Sequence, residues 1–461
     1  MTSHIEDISV DAKLMDLFND VLKIDKKISY ENLEYQKISQ WDSLNHINLM
    51  IGIEVKFGFK VPKSKVLELT NFQKIKEFIY FNSNIDKNNI SNNILEKNKS
   101  SLCRGLNNIF YDETKISFID GEQGRLLYRG YQISEMVEKY SFDEVIYLLL
   151  YEKIPTINEL KQLKLELENQ KYLSKEVLEL IKITCHRFNL SSVLKSCVSI
   201  LTEEMDSLSD EKQVICLLAK VPLIIANYQS FKSTQQEYKP AASASHCDYL
   251  AEILFHNSPI TTEQKKLFEQ IMILQAEHES NASAFAARVA VSTGSSLGNG
   301  ILAAISTFIG PLHGGAITSV MDMLDEITSD NVSFYIQNRI KNKQPVYGFG
   351  HRVYRTQDPR SFYLKKIVEQ LCHEKKDSNT LLILEKIKVE MSEFIQFGID
   401  INVDYYSSVC FKLFNIPKDL FVPLFISNRI IGWGAHIIEQ KKENILIRPR
   451  LKYTGHFPEN K

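Results

Sequence analysis

The feature that most constrains the fold is a break in composition at residues 82–100. This stretch, NSNIDKNNISNNILEKNKS, is rich in asparagine, lysine and serine and holds only isolated apolar residues. Such a segment cannot bury a face of its own, so it predicts an exposed, flexible linker between two packed units. We therefore expect a first domain over 1–81 and a second domain over 101–461. The length of 461 residues also favours more than one domain.

Both units are predicted to be mainly α-helical. In the first, apolar residues recur at helical spacing from Ile5 to Val21 and again from Leu44 to Val55. In the second, stretches such as EQKKLFEQIMILQAEH and GNGILAAISTFIG are apolar nearly all round, which is typical of helices buried in a large core. The stretch ISFIDGEQGRLLYRGY alternates apolar and polar residues between glycines, which predicts a short hairpin.

Charge and cysteine usage exclude several classes of protein. The balance of 55 basic against 57 acidic residues leaves no field that would hold a nucleic acid. The seven cysteines lack CxxC pairs and are odd in number, which argues against a disulfide framework. The N-terminus is acidic where a signal peptide is basic, and no apolar run is expected to be long enough to cross a bilayer. We expect a cytoplasmic protein with no membrane partner.

Ser43 stands at the start of an amphipathic stretch, in QWDSLNHINLMIGIEVKFGFKVP. That position puts its hydroxyl at a helix N-terminus, where backbone amides and the helix dipole stabilise an anion such as a phosphodiester. An Asp-Ser pair before an apolar run is more often a simple helix cap. The local sequence alone leaves both interpretations open.

Three histidines stand beside glycines or other small residues. They are His278 in QAEHESNAS, His313 in GPLHGGA and His351 in GFGHRVYRTQDPRS. Glycine allows a ligand to approach the backbone closely. One such histidine would more often be a surface or core residue, but three together indicate a site. They are 35 and 38 residues apart with no HxxxH pair, so the spacing gives no positive evidence for zinc and no metal is predicted.

A carboxylate and three arginines complete the candidate set. Asp404, in GIDINVDYYSS, lies between apolar and aromatic residues, where burial would raise its pKa toward the range useful for removing a proton; helix capping is the alternative. Arg360 in DPRS, Arg429 in SNRIIGWGAH and Arg448 in IRPRLKYTG carry planar forks suited to carboxylates. Each arginine alone would more often form a surface ion pair. Together they predict a site for a di- or tricarboxylate.

These motifs resemble those of the citrate synthase family over residues 101–456, from IDGEQGRLLYRGY to RPRLKYTG. The resemblance implies that His313 hydrogen-bonds the thioester carbonyl while Asp404 removes the methyl proton. It implies that His351 donates to the ketone of oxaloacetate. It further implies a homodimer in which the carboxylates are held by His278, Arg360, Arg429 and, from the partner subunit, Arg448.

A second resemblance covers residues 5–81. The WDSL motif, the glutamate and FGF of the following helix, and the further helix NFQKIKEFIYF are similar to an acyl carrier protein. In that family the serine of this motif bears 4′-phosphopantetheine, which implies Ser43 as the attachment site and a phosphopantetheinyl transferase as a partner. The alternative is a degenerate carrier fold that is kept only for docking.

The resemblances together imply a mainly α fold. A four-helix acyl-carrier bundle would precede an all-α citrate-synthase fold with a large domain and a small domain near residues 316–420, whose rotation closes the site. The implied activity is the condensation of an acyl thioester, acetyl-CoA by default, with oxaloacetate, followed by hydrolysis to citrate. Arg352 and Arg355 are then candidates to contact the phosphates of CoA or of a carrier arm.

Other functions remain open at the level of sequence. The chain would be a 2-methylcitrate or alkylcitrate synthase if it used longer acyl groups, including groups carried on its own first domain. One added methylene alters binding only modestly, and Ser408 stands where many family members have glycine, so the acyl group is not fixed. A different class is a non-catalytic dimeric scaffold with an attached carrier.

Overall fold

The computed structural model describes residues 10–24, 30, 33–35, 37, 38, 40–66, 68–82, 104–106, 109–255 and 258–455. The predicted linker lies outside these residues apart from Asn82, which ends a helix. Ile5, at the start of the first predicted helical stripe, and Cys103 also lie outside them. The other six cysteines are all buried and free.

The described residues are mainly α-helical, as predicted. A short 3-10 turn lies at Arg104–Leu106 and another at Lys418–Leu420. The α-helices are Val10–Leu22, Ser43–Phe57, Lys63–Val66, Phe72–Asn82, Ile133–Lys139, Phe142–Tyr151, Ile157–Asn169, Lys175–Thr184, Leu190–Met205, Asp210–Ser233, His246–Phe255, Thr262–Ala276, Ala282–Ser292, Leu297–Phe308, Ala316–Asp325, Val332–Lys341, Pro359–Lys375, Ser378–Glu390, Ser392–Ile395, Val403–Leu413 and Phe421–Lys442.

The N-terminal residues form a unit with its own apolar core. Phe18 and Trp41 are fully buried there, and their rings meet edge to face with centroids 5.1 Å apart. The indole N–H of Trp41 donates to Nδ1 of His46 at 3.1 Å, which satisfies a buried polar group. This cluster is distinct from the main core, so the described residues of 10–82 form a separately packed unit.

The predicted hairpin is confirmed. Strands β1 (Ser117–Asp120), β2 (Arg125–Tyr128) and β3 (Tyr131–Gln132) form an antiparallel sheet in the order β1-β2-β3. The hydroxyl of Tyr128 donates to the carbonyls of Ile273, at 3.2 Å, and Glu277, at 2.8 Å. The sheet thereby anchors the end of helix Thr262–Ala276, directly before His278.

The core of the second unit is built around two long apolar helices. The expectation that no run would be long enough to cross a bilayer is wrong, because Asp210–Ser233 and the segment Lys418–Lys442 have the length and composition to do so. The protein itself buries 89% and 94% of their most apolar stretches. Such burial is typical of core helices, which must be apolar on all sides.

Helices within residues 316–420 pack against one another beside this core. Helix Val403–Leu413 contacts both Pro359–Lys375 and Ala316–Asp325. Helix Pro359–Lys375 begins where the sequence favours it, with proline at its first position and Asp358 as the N-cap. The division into a large domain and a small domain over 316–420 stays a prediction.

Candidate active site

His313 lies in a turn between helices Leu297–Phe308 and Ala316–Asp325, and its ring is held through Nε2. The backbone N–H of Ser283 points at this nitrogen at 3.3 Å, and the Ser283 hydroxyl lies 2.8 Å from it. A backbone N–H can only donate, so we assign the ring hydrogen to Nδ1. No described residue hydrogen-bonds Nδ1. Burial and, less strongly, the charge of Arg429 lower the pKa of His313 to about 4, so the ring is neutral near pH 7.

The glycines around His313 bring the turn close to the core. A Cβ atom at Gly314 would overlap the ring of Phe308, and one at Gly315 would lie 2.8 Å from the carbonyl oxygen of Gly310. The Phe308 ring also meets the His313 imidazole edge to face, with centroids 4.9 Å apart. Glycine at these positions therefore sets where the histidine stands.

His351 is held in the opposite tautomer. Its Nδ1 accepts from the backbone N–H groups of Val353, at 3.0 Å, and Tyr354, at 3.1 Å. We therefore assign the ring hydrogen to Nε2. No described residue hydrogen-bonds that nitrogen. Burial lowers the pKa of His351 to about 4, with Asp358 opposing and Arg360 adding to the shift. This histidine is also a neutral donor near pH 7.

His278 packs against His351 at the base of the site. The two ring centroids are 5.2 Å apart, and Nε2 of His278 lies 3.3 Å from the hydroxyl of Tyr354. Burial, followed by the charges of Arg360 and other neighbours, holds the pKa of His278 well below its ordinary value. It is a third neutral histidine in the same cluster.

Asp404 lies in the first turn of helix Val403–Leu413. It is not the helix cap, since that role belongs to Asn402, whose side chain accepts from the backbone N–H of Asp404 at 3.0 Å. No described residue donates a hydrogen bond to the Asp404 carboxylate. The loss of surrounding water raises the pKa of Asp404 to about 7, although the charge of Arg360 partly opposes the shift. A carboxylate with this pKa is suited to accept a proton near neutral pH.

Arg360 is buried and pairs with a carboxylate that the sequence analysis did not name. Its Nε and Nη2 donate to the two oxygens of Asp358 at 3.0 and 2.6 Å. Burial opposes the charge on the guanidinium, but Asp358 outweighs it and raises the pKa of Arg360. This burial excludes the alternative of a surface ion pair for Arg360, and its predicted role in binding a carboxylate ligand stays a prediction.

Arg429 is also buried, on helix Phe421–Lys442. Its Nε donates to the carbonyl of Gln275, and its guanidinium carbon lies 5.0 Å from the ring centroid of Phe425. Burial and the nearby charge of Arg360 lower the pKa of Arg429 to about 10. Two buried cations that repel each other would be stabilised by a bound dianion.

Three predicted arginines remain, and one of them, Arg355, contacts the backbone of this cluster. Arg448 is exposed on the C-terminal segment, beside a cavity of about 250 Å³ lined also by Phe285 and Tyr111. Arg352 is exposed, whereas Arg355 is buried and donates to the carbonyl of His351 at 3.5 Å.

Ser43 begins helix Ser43–Phe57, as predicted, but its side chain lies outside what the structure describes. Asp42 is the N-cap of this helix and accepts from the backbone N–H of Asn45 at 2.8 Å.

His278, His351 and Asp358 bring potential metal-binding atoms within 4.8 Å of one another. Arg360 already occupies both oxygens of Asp358. Positive charge from Arg360 and Arg429 acts on the same cluster and opposes a cation. The donor set fits an anionic ligand better than a metal ion.

Several residues of the site were not identified from the sequence. Ser283 holds His313 and accepts from Trp433 at 3.0 Å, and Tyr354 contacts two of the histidines. Ser283 is within the quoted AEHESNAS motif, and Asp358 is within DPRS. Trp433 is likewise within the quoted motif SNRIIGWGAH. A polar or aromatic residue inside a quoted motif was therefore an available signal.

The second unit matches a known family. The sequence model described as "Citrate synthase, C-terminal domain" matches residues 105–450. The chain is 35% identical over 364 residues to the citrate synthase of Deinococcus radiodurans, covering 77% of this chain and 96% of that protein. It is 32% identical over 367 residues to 2-methylcitrate synthase 2 of Corynebacterium glutamicum, covering 77% and 95%.

A solved structure has the same fold. It is a ternary complex of carboxymethyl coenzyme A and oxaloacetate with the citrate synthase of Thermoplasma acidophilum. The TM-score is 0.74 at 28% identity, and the match covers 78% of this chain and 98% of that one.

Proposed function

The chain belongs to the citrate synthase family, whose reaction joins an acyl-CoA thioester to oxaloacetate, and from that premise we propose a role for each residue of its site. One observation carries the proposal. Asp404, a half-buried carboxylate with a pKa of about 7, lies near the same two arginines as two neutral histidines, and each histidine keeps one N–H free of any described partner. This is the inventory that enolisation and carbonyl attack require.

In the first step, Asp404 removes a proton from the carbon next to the thioester carbonyl. The Nδ1–H of His313 donates to the carbonyl oxygen as negative charge develops there. A neutral donor suits this task because it stabilises the enol without protonating the base. Ser283 acts as a positioning residue, since it fixes the tautomer and orientation of His313.

In the second step, the enol carbon attacks the ketone of oxaloacetate. The Nε2–H of His351 donates to the ketone oxygen, while His278, Arg360 and Arg429 hold the carboxylates. Water then cleaves the thioester, so that one acetyl thioester, one oxaloacetate and one water give citrate and the free thiol. Fixed positive charges orient the dianion before the carbon–carbon bond forms.

Acetyl-CoA is the proposed acyl donor, and 2-methylcitrate synthesis from propionyl-CoA is the second candidate. The second is supported by the similarity to a 2-methylcitrate synthase. Ser408, where many relatives have glycine, is buried and donates to the carbonyl of Tyr405 at 3.0 Å, so its hydroxyl is satisfied within its own helix.

Paired assays with acetyl-CoA and propionyl-CoA test the choice of donor. We expect a higher kcat/KM with acetyl-CoA and citrate as the product. A higher value with propionyl-CoA would make the chain a 2-methylcitrate synthase. No turnover with either donor would support the scaffold alternative.

We further propose that the first unit is an acyl carrier domain with 4′-phosphopantetheine on Ser43. Support comes from the helix that begins at Ser43, its cap by Asp42 and the separate core of residues 10–82. Intact-mass spectrometry after co-expression with a phosphopantetheinyl transferase should show the added arm. Ser43→Ala should abolish the gain, and an unmodified wild-type chain would contradict the proposal.

We also propose a cytoplasmic homodimer in which Arg448 reaches the partner's site. The exposure of Arg448 in one chain supports this arrangement, and the six buried free thiols agree with a reducing compartment. Arg448→Ala and Asp404→Ala chains should each be nearly inactive. Co-expressing them should restore part of the activity through mixed dimers, whereas no restoration would place Arg448 in its own chain's site.

Fractionation of cells tests the proposed compartment. The protein is expected in the cytoplasmic fraction.

A further inference from the structure

The two units touch at the residue before the predicted attachment serine. Oδ2 of Asp42 lies 2.6 Å from Nζ of Lys343, which follows helix Val332–Lys341 in the second unit. The other oxygen of Asp42 caps the helix that Ser43 begins. The ion pair therefore ties the N-terminus of that helix to the second unit.

An aromatic residue makes a second contact between the units. Phe397, in the turn after Ser392–Ile395, packs against the apolar core of residues 10–82. The next residue, Gly398, has a φ of +77°, and a Cβ atom there would lie 3.4 Å from Arg355. The segment that carries Phe397 thus lies between the first unit and Arg355.

Charges link the same two surfaces. Burial lowers the pKa of Arg355, and the charges of Glu122, in the second unit, and Glu68, in the first unit, oppose that shift. Arg355 in turn donates to the carbonyl of His351 at 3.5 Å and to that of Arg352 at 3.4 Å. Arg355 therefore senses the charge of the first unit and contacts the backbone of the active-site histidine.

We propose that Lys343, Phe397 and Arg355 form a docking surface that presents the acyl arm on Ser43 to the active site of the same chain. The inference rests on the proposed carrier function of the first unit. Charge complementarity supports it, since Asp42 pairs with Lys343 and the charge of Glu68 also acts on Arg355. Arg355 is the proposed contact for the phosphate of the arm, because it lies beside Gly398, next to Phe397, and also contacts the backbone of His351.

The delivery step needs no reagent beyond those of the condensation. Asp404 removes a proton from the acyl group on the arm, and the resulting carbon forms a bond with the ketone carbon of oxaloacetate. Water then breaks the carbon–sulfur bond. The acyl group leaves as citrate or an alkylcitrate, and the arm on Ser43 regains its free thiol.

The test measures discharge of the loaded arm in the full-length chain. Holo-protein is loaded with an acetyl group, freed of acetyl-CoA and mixed with oxaloacetate, and the acetylated mass is followed over time. Lys343→Glu should slow discharge about tenfold by repelling Asp42, and Phe397→Ser should slow it similarly. Lys343 already has a φ of +57°, so the substitution adds no new backbone strain. Turnover of free acetyl-CoA should be unchanged in both variants.

Lys341→Glu is the matched control, because Lys341 is exposed two residues earlier in the chain. It should discharge at the wild-type rate. Equal discharge by the wild type and Lys343→Glu would overturn the docking surface while leaving the carrier function intact. A wild-type chain that never gains the arm would overturn the carrier function, and the docking inference with it.

A second experiment tests delivery within one chain. Ser43→Ala chains, which keep the active site, are co-expressed with Asp404→Asn chains, which keep the arm, so that mixed oligomers form. We expect the loaded arm to stay acetylated after oxaloacetate is added. Discharge at the wild-type rate would show delivery between chains and would overturn delivery within one chain.

Discussion

Ser283 and His313 meet at 2.8 Å between Oγ and Nε2, although they are 30 residues apart in the chain. The backbone N–H of Ser283 reaches the same nitrogen, and the hydroxyl also lies 2.6 Å from Oδ1 of Asn281. This serine therefore leaves the Nδ1–H of His313 as the donor that faces the substrate.

Ser283→Ala should lower kcat about tenfold, the equivalent of about 1.4 kcal/mol for one hydrogen bond in the transition state. The KM for oxaloacetate should stay unchanged, since His313 acts on the thioester. Steady-state kinetics measure both. Thr202→Val is the control, because it removes another buried hydroxyl hydrogen bond away from the site. An equal loss of kcat in both variants would mean that Ser283→Ala acts through a general packing defect and not through His313.

Gly314→Ala should destabilise the protein by about 1–3 kcal/mol, because the added Cβ overlaps the ring of Phe308. It should also lower kcat by displacing His313. Gly310→Ala is the matched control, since its Cβ would meet nothing closer than 3.3 Å. Urea unfolding and kinetics measure the two effects. Phe308→Leu should recover part of the stability in the Gly314→Ala background, and no recovery would contradict the steric explanation.

Arg360→Lys should raise the KM for oxaloacetate about 10- to 100-fold. A lysine keeps the charge but loses the planar fork, and a hydrogen bond to a charged group contributes about 1.5–3 kcal/mol. Arg125→Lys, on an exposed residue of β2, should leave KM unchanged. An unchanged KM in Arg360→Lys would mean that this arginine serves only to pair with Asp358.

Asp404→Asn should make the protein more stable at alkaline pH. The folded pKa of about 7 lies above the ordinary value of 3.8, so the native state holds a proton that the unfolded state releases. Ionisation therefore costs stability as pH rises from about 4 to 7, and the cost is complete above pH 7. The gain in the free energy of unfolding should be about 4 kcal/mol at pH 8 and less than half of that at pH 5.

Urea unfolding at the two pH values measures this difference. Asp419→Asn, at an exposed position, is the control and should change stability little at either pH. A gain in Asp404→Asn that did not depend on pH would contradict the assignment.

The sequence predicted the parts of the site that have a local signature. Glycines around His313 and His351 and the DPRS and NVD motifs mark where the chain must turn tightly or present a charge. The hairpin was predictable because its alternation and glycine spacing are local. Asp404 was correctly expected to have a raised pKa, because its neighbours in sequence are apolar and aromatic.

Partners that depend on tertiary packing could not be predicted in the same way. Trp433 contacts Ser283 from 150 residues away, and the pairing of Asp42 with Lys343 joins two separate units. The apolar length of Asp210–Ser233 was underestimated because lysines and glutamines interrupt its apolar residues. Only the fold shows that two of them, Gln213 and Lys220, are buried.

In the proposed reaction, ionised Asp404 is the base of a condensation between an acyl thioester and oxaloacetate. The most direct test is the pH dependence of kcat/KM for acetyl-CoA, with citrate measured as the product. We predict that its logarithm rises with a slope of about one and levels off near pH 7, while His313 and His351 stay neutral above about pH 4. The Asp404→Asn variant should have a kcat/KM about 10³-fold lower than the wild type, and its kcat/KM should not rise with pH. A flat profile from pH 5 to 8, or citrate production by Asp404→Asn near the wild-type rate, would show that Asp404 is not the base.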